Sequence, residues 1–142
     1  MDGSEELRSA FAELVEDAPC GIVVTDPDGQ LQFVNETLKR WLNNPFETDK
    51  RPRRLPDLMG GAGRLFYETH IAPMIRLQGH VREISCTLKV AGGDPLPVLL
   101  SGVARRDAAG RLVRFDYTIF DARERRVYEQ ELRAARHKAE QL

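Results

Sequence analysis

Cysteine and histidine are scarce in this sequence, which limits both metal binding and redox chemistry. The 142 residues include two cysteines and three histidines. Cys20 and Cys86 are far apart, form no Cys-x-x-Cys motif and stand in apolar, strand-like contexts. Such contexts are typical of buried, reduced thiols. Because no Cys/His cluster has the spacing of metal ligands, the sequence predicts no metal site.

The chain also lacks a strong net charge and a long apolar run. Its formal net charge is -1 at pH 7, so no overall field would attract nucleic acid or an anionic membrane. The acidic, polar start Met1–Glu6 is unlike a secretory signal, and no apolar stretch approaches membrane-spanning length. We therefore expect a cytoplasmic protein with no nucleic-acid or membrane partner, unless the chain is a fragment of something larger.

Groups of catalytic residues are absent as well. No Ser/His/Asp or Cys/His pairing is suggested, and the carboxylates lie mostly on predicted helix faces or at turns. The run Gly60-Gly61-Ala62-Gly63 precedes a predicted helix, but it does not match the Gly-x-x-x-x-Gly-Lys-Ser/Thr motif and no strand precedes it directly. A flexible connection is therefore favoured over a phosphate site, and no catalytic residue is predicted.

The clearest structural signal lies between Cys20 and Asn35. Two apolar runs, Ile22–Val24 and Leu31–Val34, flank the turn sequence Asp-Pro-Asp-Gly, which predicts a β-hairpin. Gly29 is the turn residue expected to need a positive φ. Asn35 stands before a short amphipathic run, where its side-chain oxygen can cap the first turn of a helix.

A loop rich in proline and charge follows, from Asn43 to Pro56. It contains the one basic cluster of the chain, Lys50-Arg51-Pro52-Arg53-Arg54. A nucleic-acid or phospholipid patch is one interpretation of this cluster. A solvated loop is favoured, because the cluster is short and has no interleaved aromatic residues.

The middle of the chain predicts helices. A single helical turn is expected at 55–59 and a longer helix from Arg64 to Leu77. Pro73 lies inside the longer helix and removes the hydrogen bond to the Thr69 carbonyl, so a kink or two short helices are expected. The apolar residues that recur at helical spacing are Leu65, Phe66, Ile71, Met74, Ile75 and Leu77.

Three strand signals close the domain. Residues 83–90 alternate strictly between apolar and polar, whereas 96–104 are apolar on both faces and predict a strand covered on both sides. Residues 113–119 alternate again. Phe120 then places an aromatic ring on the polar face, so we expect something to pack over it.

Amphipathic helices are predicted at both ends of the chain. Residues 5–18 carry a narrow apolar stripe that is expected to make dimer contacts, formed by Leu7, Phe11, Leu14 and Ala18. Asp121 is expected to cap a second helix that runs to Leu142. Its heptad seam predicts a coiled coil and consists of Tyr128, Leu132, Ala135, Ala139 and Leu142.

This order of elements resembles the PAS sensor domain. The likeness rests on the hairpin 21–35, the stretch 63–73 and the segment 120–126, and it is to bacterial PAS modules that precede serine phosphatase, nucleotide cyclase or histidine kinase outputs. It implies an α+β fold, a five-stranded antiparallel sheet with helices on one face, flanked by the two end helices. The implied parts are an N-terminal flanking helix at 1–18, a PAS core at 19–121 and a C-terminal signalling helix at 122–142.

The resemblance also implies a function. The chain would be the sensory or regulatory module of a bacterial signal-transduction protein, acting as a homodimer on an output domain beyond Leu142, and any catalysis would belong to that domain. Asp28-Gly29 matches the family's hairpin turn, Asn35 the start of its first core helix and Asp121 its acidic residue after the sheet. The family's Asp-x-Thr form is missing, because position 123 is arginine.

Signal relay and ligand binding are assigned to two sets of residues. An ion pair of Arg123 or Arg125 is expected to replace the missing hydroxyl link, and the relay set is Asp121, Arg123, Arg125, Tyr128 and Leu132. The candidate pocket, chosen by strand and helix phase, consists of Trp41, Phe66, His70, Met74, Cys86, Leu100 and Tyr117.

Two hypotheses for the role of that pocket remain open: the domain relays a signal without a ligand, or it is a receptor for a small metabolite. Flavin is disfavoured, because no Gly-x-Asn-Cys-Arg motif is present. A haem sensor with His70 as the axial ligand is a disfavoured alternative. No cofactor is evident from the sequence.

Overall fold

One antiparallel sheet of five strands organises the structure. A computed structural model describes residues 3–141, without the side chains of residues 124–129. The strand order is β2-β1-β5-β4-β3, and all four neighbouring pairs are antiparallel. The strands are β1 Gly21–Thr25, β2 Leu31–Val34, β3 His80–Leu88, β4 Leu96–Arg106 and β5 Leu112–Asp121. The five-stranded sheet predicted from the sequence is confirmed.

The hairpin of β1 and β2 forms as its turn chemistry predicts. Gly29 has a φ of 86°, a left-handed conformation that glycine adopts without steric cost. The carboxylate of Asp26 accepts hydrogen bonds from the backbone N–H groups of Asp28 and Gln30, at 3.0 and 2.8 Å. Helix α2 (Glu36–Trp41) follows directly, and Asn35 is its N-cap.

The helical layer is interrupted next to Pro73, as the sequence predicts. Helix α3 (Gly61–Phe66) passes into a π-helical turn (Tyr67–Ile71) and then into α4 (Ala72–Gln78). Pro73 stands at the start of α4, so its missing N–H falls beside the widened turn. Two short 3-10 turns precede these helices, at Pro45–Glu47 and Leu55–Leu58.

The phase of this layer differs from the prediction. Tyr67, Ile71 and Ile75 are buried at a spacing of four, whereas Leu65 and Leu77 are exposed. The π turn accommodates one extra residue, because the Ala72 N–H reaches back to the Tyr67 carbonyl. This extra residue shifts the helix phase between the two sides of the turn. A regular helix with 3.6 residues per turn over 64–77 therefore predicts the wrong buried face for part of this segment.

The helices cover one face of the sheet and form the core with it. Side chains from the inner face of the strands are fully buried, among them Val23, Leu88, Leu100, Phe115 and Ile119. The outer face carries Phe120, which is 49% exposed. The cover predicted for Phe120 is therefore not supplied by the described residues of the chain itself.

The end helices lie outside this core. Helix α1 (Gly3–Glu16) has no buried residue, and α5 (Arg123–Glu140) follows β5 after a single residue. Ala18, assigned to the apolar stripe of α1, lies beyond the end of that helix and is half-buried. Leu142, the last seam position, lies outside the described residues. No helix in the range 3–141 is both long and apolar enough to cross a membrane.

Candidate sensor core and the start of helix α5

Two tyrosines meet at the centre of the core. Tyr67 comes from the π turn and Tyr117 from β5, and each is 1% exposed. A Cβ atom at Gly102, which pairs with Tyr117 across β4 and β5, would lie 2.6 Å from the Tyr117 ring. A Cβ at Gly29 would lie 2.6 Å from the Tyr67 hydroxyl. Both aromatic positions therefore depend on glycine opposite them.

The Tyr117 hydroxyl is buried beside the phenol of Tyr67, but it forms no hydrogen bond of normal length among the described residues. Burial raises the pKa of Tyr117, and the neighbouring phenol of Tyr67 raises it further. Leaving such a group unpaired costs about 1–3 kcal/mol. The hydroxyl is thus a polar position in an apolar core that a polar atom of a bound molecule could satisfy.

A surface cleft of about 610 Å³ reaches Tyr67 from outside, between the β-hairpin turn and helix α4. Two arginines cross it. Arg54 donates to the Asp28 carbonyl through Nε at 3.0 Å and Nη2 at 2.9 Å, and to the Glu68 carboxylate through Nη1 at 2.8 Å. Arg76 donates to the Pro27 carbonyl. The hairpin is therefore held to the helical layer by charged donors.

Five of the seven predicted pocket residues lie in or against the core. Leu100 and Tyr117 are buried on neighbouring strands, whereas Trp41, Met74 and Cys86 are half-buried and pack against the cluster. Burial raises the pKa of the Cys86 thiol from 9.0 to about 11, so this thiol is protonated at neutral pH. Cys20 and Cys86 are both free thiols.

Phe66 and His70 are not brought into the core, which corrects their assignment to the pocket. Phe66 is 38% exposed, His70 is exposed, and their rings stack with centroids 4.8 Å apart. The His70 Nδ1 lies 2.7 Å from the Thr69 hydroxyl. The π turn sends Tyr67 inward in their place. An outward-facing His70 does not fit the role of an axial ligand to haem in the core.

An ion pair holds the start of helix α5. Asp121, at the end of β5, accepts a hydrogen bond from the Arg123 backbone N–H at 2.9 Å and from its guanidinium at 2.6 and 3.0 Å. The hydrogen bond from the Arg123 side chain lowers the pKa of Asp121. Ala122 rather than Asp121 occupies the N-cap position, so Asp121 serves the first turn from one residue earlier.

The rest of the predicted relay set lies further along α5. The side chains of Arg125 and Tyr128 lie outside the described residues, and Leu132 is exposed. Sequence reasoning also missed Tyr67, Arg54 and Arg76. The burial of Tyr67 could have been predicted from its spacing of four from Ile71, which is itself four residues before Ile75. The contacts of the two arginines depend on the fold and had no signal in the sequence.

Comparisons with known proteins agree with this architecture. No family model matches the chain. It is 30% identical over 126 residues to the phosphoserine phosphatase RsbP of Bacillus subtilis, a match that covers 88% of this chain and 30% of that protein. The chain therefore spans about a third of the length of this relative.

Two solved structures share the fold. An RNA-binding light-oxygen-voltage receptor superposes with a TM-score of 0.76 at 19% identity, over 96% of this chain and 40% of that one. A PAS domain from a two-component sensor histidine kinase superposes with a TM-score of 0.64 at 15% identity, over 83% of this chain and 98% of that one. The chain is a PAS-fold domain.

Proposed function

We propose that this PAS-fold domain is the sensory and regulatory module of a bacterial signal-transduction protein. It relays a change in the core or at the sheet through helix α5 to an output domain beyond Leu142. A catalytic activity would belong to that output domain. The similarity to a phosphoserine phosphatase about three times as long and to a sensor histidine kinase domain supports this proposal.

The observation that carries the proposal is the contact between Asp121 and Arg123. It joins Asp121, the last residue of the central strand β5, to Arg123, the first residue of α5, and the guanidinium donates to both carboxylate oxygens. Strand β5 lies between β1 and β4, and its inner face carries Tyr117. A rearrangement around Tyr117 therefore has a short covalent and ionic path to α5.

The proposed module is a homodimer that pairs through α1. One face of α1 is apolar, but it is not covered by the rest of the chain. Its three large side chains are more than half exposed, with values of 55% for Leu7, 56% for Phe11 and 67% for Leu14. The helix is attached to the core at its C-terminal end, where the Asn35 Nδ2 donates to the Val15 carbonyl at 2.8 Å. Burying the exposed part of these side chains would favour association, since the full burial of one such side chain contributes roughly 1.5–3 kcal/mol.

The outer face of the sheet offers a matching apolar surface. Phe120 and Val103 are both exposed there, and Ile22, Val24 and Leu99 are half-buried. The antiparallel register aligns Leu99 with Phe120 and Val103 with Asp116. We expect the partner's α1 to cover this face, which would also supply the cover that the sequence predicts for Phe120. Residues 1–18 would then serve dimerisation, 19–121 sensing and 122–142 the transmission of the signal to the output domain.

Sedimentation equilibrium tests the dimer. The native chain is expected to sediment as a dimer, with twice the 16.1 kDa mass, at micromolar concentration. Phe11→Glu should give a folded monomer, because it places a charge in the apolar stripe. Ser9→Glu adds the same charge to the opposite face of α1 and should leave the dimer intact. A native monomer, or equal effects of the two variants, would refute this arrangement.

A second function, a receptor for a small metabolite, is favoured by the unpaired Tyr117 hydroxyl. Such a ligand would place a polar atom against this hydroxyl and would enter beside Tyr67. Native mass spectrometry of freshly purified protein should then show an added mass that Tyr117→Phe removes. A clean protein mass together with a higher stability of Tyr117→Phe would instead favour the relay without a ligand.

A further inference from the structure

A surface depression away from the tyrosine core combines positive charge with a rigid apolar lining. Its volume is about 700 Å³, within the range of small-molecule sites. Four cations line it, Lys50, Arg51, Arg64 and Lys89, against the single carboxylate of Asp57. The basic cluster of the sequence is thus divided by the fold, because Lys50 and Arg51 line the depression together with residues 89–91, which follow β3.

Three of these cations have no carboxylate partner. Among the described residues, Lys50, Arg51 and Lys89 form no ion pair within 4.0 Å, whereas Arg64 lies 3.4 Å from Asp57. The acidic residues nearest in the loop sequence, Glu47 and Asp49, do not line the depression. Unpaired guanidinium and ammonium groups around a concave surface attract phosphate-bearing anions.

The walls of the depression are fixed in place by hydrogen bonds between distant segments. Asn43 Nδ2 donates to the Ala91 carbonyl at 2.9 Å, and the Ala91 N–H donates to the Leu42 carbonyl at 3.1 Å. The Lys89 N–H donates to the Leu58 carbonyl at 2.7 Å. The loop and the end of β3 therefore hold their relative positions without a ligand, which reduces the entropy lost on binding.

The chemistry of the remaining lining points to an organic group beside the phosphates. Pro45, Pro52 and Val90 supply apolar surface. Asn44 also lines the depression, and its Oδ1 is buried without a hydrogen-bond partner while its Nδ2 donates to Glu47 at 3.0 Å. An amide oxygen can only accept a hydrogen bond. Because Oδ1 is buried, the Asn44 side chain must turn to present it to a ligand, and that ligand must carry an O–H or N–H donor, such as a hydroxyl or amino group of a nucleoside.

We propose that this depression binds a nucleoside polyphosphate. The phosphates contact Lys50, Arg51, Arg64 and Lys89, and the nucleoside packs against the prolines and donates a hydrogen bond to Asn44. The site is separate from the tyrosine core, and its existence does not depend on the dimer or on the relay through α5.

Isothermal titration at low ionic strength tests the proposal with ATP, pyrophosphate and adenosine as probes. ATP should bind, pyrophosphate should bind at least tenfold more weakly because it lacks the nucleoside and one phosphate, and adenosine should give no measurable heat. Backbone amide shifts on adding ATP should be concentrated at residues 43–52 and 89–91. Affinity for ATP should fall as salt is added, because charge-assisted contacts are screened.

Matched variants separate this site from general attraction by surface charge. Arg51→Gln and Lys89→Gln should each lower the affinity for ATP at least tenfold. Arg53→Gln removes the same charge from the same loop at a residue outside the depression, and should change the affinity less than twofold. The proposal is overturned by a lack of ATP binding at millimolar concentration, by equal affinities for ATP and pyrophosphate, or by equal losses in Arg51→Gln and Arg53→Gln. None of these results would alter the sedimentation of the dimer.

Discussion

Replacing Asn35 with alanine should destabilise the domain more than any other change to a single polar side chain in the hairpin. The Asn35 side chain is fully buried between three elements. Its Oδ1 accepts from the N–H groups of Ile22 at 2.9 Å and Leu38 at 3.2 Å. Its Nδ2 donates to the carbonyls of Val15 at 2.8 Å and Cys20 at 3.0 Å. One carboxamide therefore connects β1, α2 and the end of α1.

The magnitude follows from counting these four hydrogen bonds. Each contributes roughly 0.5–1.5 kcal/mol net, so their loss would cost about 2–6 kcal/mol. The lower half of that range is expected, because Val15 and Cys20 are only half-buried and their carbonyls can turn to water. We predict a loss of about 3 kcal/mol, compared with about 1 kcal/mol for a typical helix cap alone.

Urea unfolding followed by the fluorescence of Trp41, the single tryptophan, measures this loss. The variant should remain folded in water, since domains of this size are stable by about 5–15 kcal/mol. Gln32→Ala truncates an exposed carboxamide on β2 and should stay within about 0.5 kcal/mol of the native protein. A loss below about 1 kcal/mol in Asn35→Ala would refute the assignment of Asn35 as the shared connection.

Three further predictions follow from particular contacts. Gly102→Ala should lose about 1–3 kcal/mol in the same urea assay because its Cβ would collide with the core, whereas Gly61→Ala, with open space around it, should be neutral. The rate at which a thiol reagent modifies Cys86 should keep rising to about pH 11, and a rate plateau near pH 9 would contradict the raised pKa. Because the folded thiol keeps its proton to a higher pH than the unfolded one, the free energy of unfolding should fall as pH rises from 9 to 11. The carboxyl resonance of Asp121 should titrate below 3.8 and move upward in Arg123→Gln. The stability that this pair contributes is present above pH 3.8 and is lost as pH falls through the lowered pKa, so an unchanged midpoint in the variant would exclude the ion pair as its cause.

The parts of this fold that depend on neighbouring residues were predictable from the sequence. Gly29 takes a positive φ and Asn35 caps α2, because both roles are determined within a few residues of the chain. The alternation along β3 and β5 likewise determines which face is buried. The disruption at Pro73 was also predictable, because the missing N–H is a property of the residue itself.

The parts that depend on phase or on distant segments were not predictable. The π turn before Pro73 replaces Phe66 and His70 with Tyr67 in the core, and no local pattern specifies a π turn rather than a kink. Arg54 acquires its role only when the hairpin turn folds against it. Lys50 and Arg51 are exposed loop residues, as the sequence predicts, but the depression that they share with Lys89 was not predictable, because Lys89 is nearly forty residues away in the sequence.

The proposed relay through α5 is tested most directly by the distance between the two α5 helices of the proposed dimer. A spin label at Gln130→Cys, with Cys20 and Cys86 replaced by alanine, reports this distance by pulsed electron paramagnetic resonance. Arg123→Gln should shift or broaden the distance distribution, because it releases α5 from Asp121, whereas Arg133→Gln on the exposed part of the same helix should not. A dimer that shows no dipolar coupling between the labels, or identical distributions in both variants, would contradict a relay through paired helices.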